Sequence, residues 1–359
     1  MLTQHELVPY LLSRDLIASR CVVNGDVVVL DSSRRHCNYR IISPDGCYLV
    51  KQAVGSGRIE TLSHEATLYR QLFSGAQKND IARHLPRFYG YDPEQHILIL
   101  ELIQDAENLH EQQQRLGRVS PHTSKQIAGV LAALHRTKLH QQGVTTARAS
   151  VLGLHIPSLV IYRSISRAVL QLIEIIQKHE TLTNHLDQLR QEWQPSGFIH
   201  GDIRAENFLI PVPLARSKRP LKIVDLEFAG VGDIAWDVGS VFAEYLSFWL
   251  FSFPLTTASS LDRFIHLAAC PLEKVQPPLR SFWNQYARCM ALRNSNFDQF
   301  LVRAVKFSAL RLIVSGFETS ASLSTVNAHI LSLVQVAMNI LLQPQDAAVE
   351  LFGIALCHD

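Results

Sequence analysis

Two acidic sites lie close together in residues 197–237, GFIHGDIRAENFLIPVPLARSKRPLKIVDLEFAGVGDIAWD, each at the end of an apolar run. The first is His200-Gly201-Asp202, with Asn207 five residues beyond the aspartate. The second is Asp225-Leu226-Glu227, directly after the strand-like Leu221-Lys222-Ile223-Val224. Two carboxylates and an amide on loops pinned by short buried strands are what magnesium-dependent phosphoryl transfer requires. Mg²⁺ takes hard oxygen ligands, keeps several waters, and is usually held by one or two carboxylates together with substrate phosphates. A further carboxylate then orients the attacking hydroxyl and accepts its proton. Between the two sites, PVPLARSKRP has the prolines and basic residues of an exposed connection.

The run HGDIRAEN resembles the catalytic loop of the aminoglycoside phosphotransferase and choline kinase family, the small-molecule branch of the protein-kinase-like fold. Its order is histidine, one residue, aspartate, four residues, asparagine. Protein kinases carry a related loop with arginine where Gly201 stands here. Asp225-Leu226-Glu227 resembles the family's form of the metal-binding DFG site, and GDIAWDVG, residues 232–239, the segment after it. The resemblance implies a role for each position. Asp202 is the catalytic carboxylate, and Asn207 and Asp225 are metal ligands. Glu227 is either a second-site ligand or a holder of metal-bound water. His200 supports the loop by hydrogen bonding, and Asp237 buttresses it, with Trp236 in the core. The implied cofactors are ATP and Mg²⁺, and the implied partner is a small molecule bearing a hydroxyl.

The same resemblance assigns Lys51, at the end of the apolar run CYLV, to the α/β-phosphates. Alone, it would read as a solvated lysine at a strand end. Its expected partner is Glu65 in SHEATLYRQLF, because Leu68, Leu72 and Phe73 line the helix face beside it; Glu60 is the fallback. The resemblance also implies that Glu101 and Ile103 lie where adenine meets a backbone carbonyl and N–H. The loop DSSRRHCN, residues 31–38, contains none of the glycines with which phosphate-covering loops bring N–H groups to an anion. Ser32, Ser33, Arg34 and Arg35 either replace them as hydroxyl and guanidinium donors or form an exposed polar turn. Arg204 and Glu206 also depart from the family loop, either to touch the acceptor or as solvated charges.

To position these residues the chain needs a sheet, a helix and a larger helical body. Residues 3–16 read as a helix, and CVVNGDVVVL, HCNYRIIS and CYLVKQAV as strands with turn chemistry at Asn24-Gly25 and Pro44-Asp45-Gly46. His96–Leu100 reads as a buried strand leading to Glu101. From residue 104 onward the expectation is mainly helical. Ser120-Pro121 starts one helix, two more fill 155–193 with a break near Thr181–Asn184, and others cover 272–293, 298–316, 321–342 and 344–356. The predicted class is α+β: a bilobal protein-kinase-like fold with a small antiparallel sheet lobe plus one helix, residues 1–103, and a mainly helical lobe, residues 104–359.

With 47% hydrophobic and 18% charged residues among 359, the chain reads as globular and long enough for two lobes. A net charge of +2 gives no electrostatic case for nucleic acid. Val238–Phe253 is apolar, but it carries Glu244 and is shorter than the ~20 residues a membrane-spanning helix needs. It reads as a buried helix, so no membrane partner is expected. The amino terminus lacks the pattern of a secretory signal, and the six cysteines form no CxxC pair. Free thiols in a reducing, cytoplasmic setting are expected. The sixteen histidines form no HExxH, and all but His200 read as ordinary surface or core residues. No APE follows Asp225, and GDIAWD arrives within about ten residues, which separates the pattern from protein-Ser/Thr kinases. Two other functions fit part of the pattern: a nucleotide-binding pseudokinase that regulates or scaffolds a partner, suggested by the glycine-free loop, and a kinase-fold nucleotidyltransferase. Neither acceptor nor oligomeric state is encoded in these motifs.

Overall fold

The structure is a computed structural model that describes residues 2–33, 37–74, 80–139, 153, 155–157, 165–212, 219–254 and 267–357. The chain forms two compact units. The first takes in the described parts of Met1–Asn108, Thr137–Thr145 and Asn207–Ala229; the second those of Leu109–Arg136, Thr146–Glu206 and Gly230–Asp359.

In the first unit, helices α1 (Gln4–Leu12) and α2 (Ser19–Val23) precede strands β1 (Val28–Asp31), β2 (Cys37–Ser43) and β3 (Gly46–Gln52). Helix α3 (Ser56–Ser74) follows, then β4 (Phe88–Asp92) and β5 (Ile97–Glu101). The five strands form one antiparallel sheet in the order β1-β2-β3-β5-β4. Side-chain alternation divides its faces. Tyr48, Val50, Ile97 and Ile99 join Leu7, Leu11, Ile17 and Cys21 in one core, beneath α1 and α2. Lys51 therefore belongs to the opposite face, the one α3 covers. CVVNGDVVVL is not one strand. Cys21–Val23 end α2, and Gly25, at φ 76, turns the chain toward β1. The burial of Cys21 beside α1 outweighs the β propensity of the two valines.

A second, three-stranded sheet of the same unit combines β6 (Ala106–Asn108), β8 (Phe208–Pro211) and β9 (Lys222–Ile223). The expectation of a mainly helical chain beyond residue 104 passes over β6. Three residues carry too little periodicity to declare a strand, and pairing of Ala106 with Pro211 and Asn108 with Leu209 makes it one.

The second unit is built from α4 (Leu109–Leu116), α5 (Pro121–His135), α6 (Arg167–Lys178), α7 (Glu180–Gln191), α8 (Ile234–Leu250), α9 (Leu272–Cys289), α10 (Ser295–Ser320), α11 (Ala328–Leu342) and α12 (Pro344–Glu350). The short strands β7 (Gly197–Ile199) and β10 (Gly230–Gly232) pair antiparallel among them. Ser120 caps α5, its side chain accepting the Thr123 N–H, and Ile127, Val130, Leu131 and Leu134 are buried. The break between α6 and α7 falls at His179, not at Thr181–Asn184, because Leu182 and Leu186 are buried on the face of α7 and hold that stretch helical. Helix α9 stops at Cys289, short of 293, where Ala291 and Asn294 adopt φ 54 and φ 53. The chain from 321 becomes helical only at Ala328, where the Asn327 side chain accepts the Ile330 N–H, and α12 ends at Glu350 ahead of Gly353 at φ 67.

Helix α8 is the apolar run of the sequence, buried along nearly its whole length. Its Gly239 lies so close to α10 that a Cβ there would stand 2.5 Å from the Ala304 carbonyl oxygen. Among the described residues no helix is long and apolar enough to cross a membrane. All six cysteines are free thiols.

Candidate active site

In the first unit the chemistry gathers around Lys51. Its Nζ lies 2.9 Å from both carboxylate oxygens of Glu65 and 2.8 Å from Asp225 Oδ1. Lys51 is 6% exposed and Glu65 1%. Burial works against the ammonium, but the charges of Glu65 and Asp225 and their hydrogen bonds outweigh it and hold the Lys51 pKa above its ordinary value. Glu65 is thus the glutamate that α3 presents, whereas Glu60 is exposed. Leu68 and Leu72 pack beside it as expected, but Phe73 is partly exposed and Tyr69 takes the buried place, one helical turn beyond Glu65.

Glu65 also fixes the second acidic motif. Its Oε1 accepts the Leu226 N–H at 3.3 Å, and the neighbouring His64 Nε2 lies 2.7 Å from the Ala229 carbonyl oxygen. Helix α3 therefore grips both ends of the stretch that carries Asp225 and Glu227. Asp225 takes a left-handed conformation at φ 71, a strained one for a residue with a Cβ, and keeps 37% of its side chain exposed. Glu227 is buried. Asn207 is buried as well, and its carbonyl accepts the Val224 N–H at 3.0 Å, so the pairing of β8 with β9 sets it one residue from Asp225 in register.

The other expected nucleotide contacts have local partners. The Ser32 hydroxyl donates to the Asn38 carbonyl at 3.2 Å, and the Ser33 hydroxyl accepts the Asn38 N–H at 3.1 Å, so both help close the β1–β2 hairpin. Arg34 and Arg35 lie outside the described residues, as do 213–218 of PVPLARSKRP. Glu101 ends β5 opposite Tyr48, with its N–H on the Arg87 carbonyl and its carboxylate accepting the Arg87 N–H. Ile103 follows it, half-buried, outside the sheet.

The second unit carries the loop after β7. Gly201 has φ 80, a conformation glycine adopts without a steric penalty. His200 is fully buried, and its Nδ1 accepts the Asp202 N–H at 3.3 Å, which leaves the ring proton on Nε2. Asp237, in the first turn of α8, accepts the His200 N–H at 2.7 Å and the Gly201 N–H at 3.0 Å, one on each oxygen. Trp236 Nε1 donates to the Gly201 carbonyl at 3.0 Å. These hydrogen bonds tie the backbone around Gly201 to the first turn of α8.

Sequence reasoning missed His135, set aside as an ordinary histidine. Its Nε2 lies 3.2 Å from Asp237 Oδ2 and its Nδ1 2.7 Å from the Tyr286 hydroxyl, with its side chain and that of Asp237 fully buried. The available signal was a polar residue on the apolar face of α5, two turns beyond Ile127.

Asp202 keeps 20% of its side chain exposed and accepts from Arg204 Nε at 2.9 Å. Arg204 also reaches Glu318 Oε1 at 2.5 Å, and Glu244 Oε2 accepts the Ala205 N–H at 2.9 Å. Burial pushes the Glu244 carboxyl up to about 7, against the opposing pull of Arg311 and the Ala205 N–H. Glu206 is exposed.

Among the described residues no three His, Cys, Asp or Glu side chains gather as a group able to hold a metal ion. The hard oxygen donors Asp225, Asn207 and Glu227 instead suit a cation whose remaining ligands are phosphates and water.

Comparison with solved structures places the fold. The choline kinase of Cryptosporidium parvum matches with a TM-score of 0.56 at 13% identity, over 96% of this chain and 96% of that one. The ethanolamine kinase of Plasmodium vivax matches with a TM-score of 0.56 at 13% identity, over 91% of this chain and 86% of that one. The choline kinase of Streptococcus pneumoniae matches with a TM-score of 0.52 at 15% identity, over 92% and 99%. At these identities the likeness is one of fold, and the fold is protein-kinase-like. Comparison with curated protein sequences finds no match. Residues 26–295, which include both acidic motifs, Lys51 and Glu65, match the phosphotransferase enzyme family, and the chain belongs to that family.

Proposed function

We propose that the protein is an ATP- and Mg²⁺-dependent phosphotransferase that moves the γ-phosphate to the hydroxyl of a small molecule such as an amino alcohol, sugar or aminoglycoside. One observation carries this reading: buried Lys51 is bound at once by Glu65 and Asp225. A cation fixed in this way beside hard oxygen donors is what a phosphate-binding site needs before its ligand arrives. In this reading residues 1–103 bind the nucleotide and 104–359 supply catalysis and the acceptor site. Lys51 binds the α/β-phosphates, Glu65 keeps its ammonium in place, and backbone groups of Glu101 and Ile103 meet the adenine. Ser32, Ser33 and Arg34 belong to the loop that would cover the phosphates. Asn207 and Asp225 hold the cation, and Glu227 holds a second cation or bound water. Mg²⁺, when bound, neutralises phosphate charge. Asp202 orients the acceptor hydroxyl and takes its proton, while His200 and Asp237 keep the loop that carries it in shape.

Because the structural neighbours include choline and ethanolamine kinases, choline and ethanolamine come first among acceptors to try. Incubation with Mg²⁺-ATP and a panel of amino alcohols, other alcohols, sugars and aminoglycosides is expected to give acceptor-dependent ADP. Pyrophosphate as the released product, with AMP joined to the acceptor, would move the reading to nucleotidyl transfer. Nucleotide binding without turnover across the panel would move it to a pseudokinase.

A further inference from the structure

The proposed chemistry uses Asp202 but leaves unexplained the charges around it. Arg204 turns back on its own loop and bridges two carboxylates, Asp202 through Nε at 2.9 Å and Glu318 through a terminal nitrogen at 2.5 Å. A guanidinium is a planar fork, so two such bonds fix its orientation as well as its position. Arg204 is 39% exposed and Glu318 34%, and an isolated pair of that kind contributes little. This one is not isolated. Glu318 also accepts from Arg311, which is 3% exposed, at 3.2 Å, and Arg311 lies 3.6 Å from Glu244. Glu244 in turn accepts the Ala205 N–H. Since Ala205 follows Arg204 in the chain, the contacts close into a ring: Asp202, Arg204, Glu318, Arg311, Glu244 and back to the loop. Glu318 and Arg311 sit on α10 and Glu244 on α8, so two helices grip the catalytic loop at two points, one side chain and one backbone N–H.

We propose that Arg204 and Glu318 are positioning residues for Asp202, a strut through which α10 sets the orientation of the catalytic carboxylate. The strut rests on the assignment of Asp202 made above. Its function is geometric. A carboxylate that must align a hydroxyl for in-line transfer loses rate when it samples several rotamers, and a guanidinium anchored at its far end removes that freedom. Glu318 touches no reacting atom in this account. Within the ring it reaches the Asp202 carboxylate by way of Arg204.

That serial arrangement makes a sharp test: a cycle of Arg204→Ala, Glu318→Gln and the double variant, in the full chain. Three readouts apply, namely kcat, KM for ATP, and amide exchange over residues 200–207 of the unliganded protein. Arg204→Ala is expected to lower kcat by about 10- to 100-fold and Glu318→Gln by about 3- to 10-fold, with KM for ATP within about twofold in each. The double variant should be no slower than Arg204→Ala, because a strut cut twice is cut once. Both single variants should speed exchange in residues 200–207 and leave α10 unchanged. Additive losses in kcat, or loop exchange unmoved by Glu318→Gln, would overturn the strut while leaving the phosphotransferase reading intact. A wild-type protein that binds Mg²⁺-ATP and never turns it over would remove the role of Asp202, and the strut's purpose with it. A fall in melting temperature with exchange faster throughout α10 would mean a merely structural tie and would overturn it too.

Discussion

Asp225 and Asp202 are each met by a basic side chain, but the two cations are held in different ways. Lys51 is buried, and both carboxylates it serves lie within one compact unit, Glu65 deep and Asp225 partly open. Arg204 is more than a third exposed and belongs to a ring of five charged side chains, three carboxylates and two guanidiniums. A buried pair resists loss of either partner, because the charge left behind is uncompensated in a medium of low dielectric. The end of the ring at Arg204 is open to water, with Asp202 and Glu318 partly exposed beside it, so losing Arg204 strands no charge in a medium of low dielectric. The cation beside Asp225 is therefore built into the stability of its unit, and the cation beside Asp202 is built into the geometry of a loop. Stability and activity should separate accordingly.

The largest expected difference comes from removing each cation. Lys51→Met should cost about 3–5 kcal/mol of unfolding free energy in a denaturant titration, the size seen when one partner of a buried pair is deleted. Arg204→Met should cost under about 1 kcal/mol in the same titration. Equal costs would erase the distinction.

Glu244 sharpens it through pH. Its carboxyl titrates near 7 in the folded protein, against an ordinary 4.5. Between those values the folded state holds a proton that the unfolded state has released. Stability should therefore fall as pH rises through this window, by up to on the order of 3 kcal/mol. Glu244→Gln should flatten that part of the pH–stability curve; an unchanged slope would mean that another group causes it. A smaller effect is expected at the loop's buttress. Asp237→Asn keeps the shape but replaces one of the two oxygens that accept the His200 and Gly201 N–H groups, and it should cost about 2 kcal/mol, the order of one buried unsatisfied donor. Its kcat should fall more than its stability would suggest, because the orphaned N–H lies in the loop that carries Asp202, the carboxylate proposed for catalysis.

What the sequence made legible was local. Asp202, Asn207 and Asp225 stand in contiguous motifs, and Glu65 follows from helical spacing along one short segment. The strands of the first sheet announce themselves by alternation and by turns. What stayed hidden depends on partners far along the chain. His135 finds Asp237 across 102 positions, and Arg204 finds Glu318 across 114, with nothing in either neighbourhood to foretell it. β6 exists only because β8 pairs with it, and Cys21–Val23 is helical because burial of Cys21 overrides propensity. The departures of Arg204 and Glu206 from the family loop read alike in sequence; in the structure Arg204 is a bridge and Glu206 an exposed charge.

The most direct measurement of the central claim is ADP formation by Asp202→Asn at saturating Mg²⁺-ATP and acceptor, with ATP affinity measured on the same protein. A fall in kcat of at least about 10²-fold with ATP affinity unchanged is the predicted result, since the role proposed for Asp202 is at the acceptor hydroxyl and not in nucleotide binding. ADP released at the wild-type rate would contradict it.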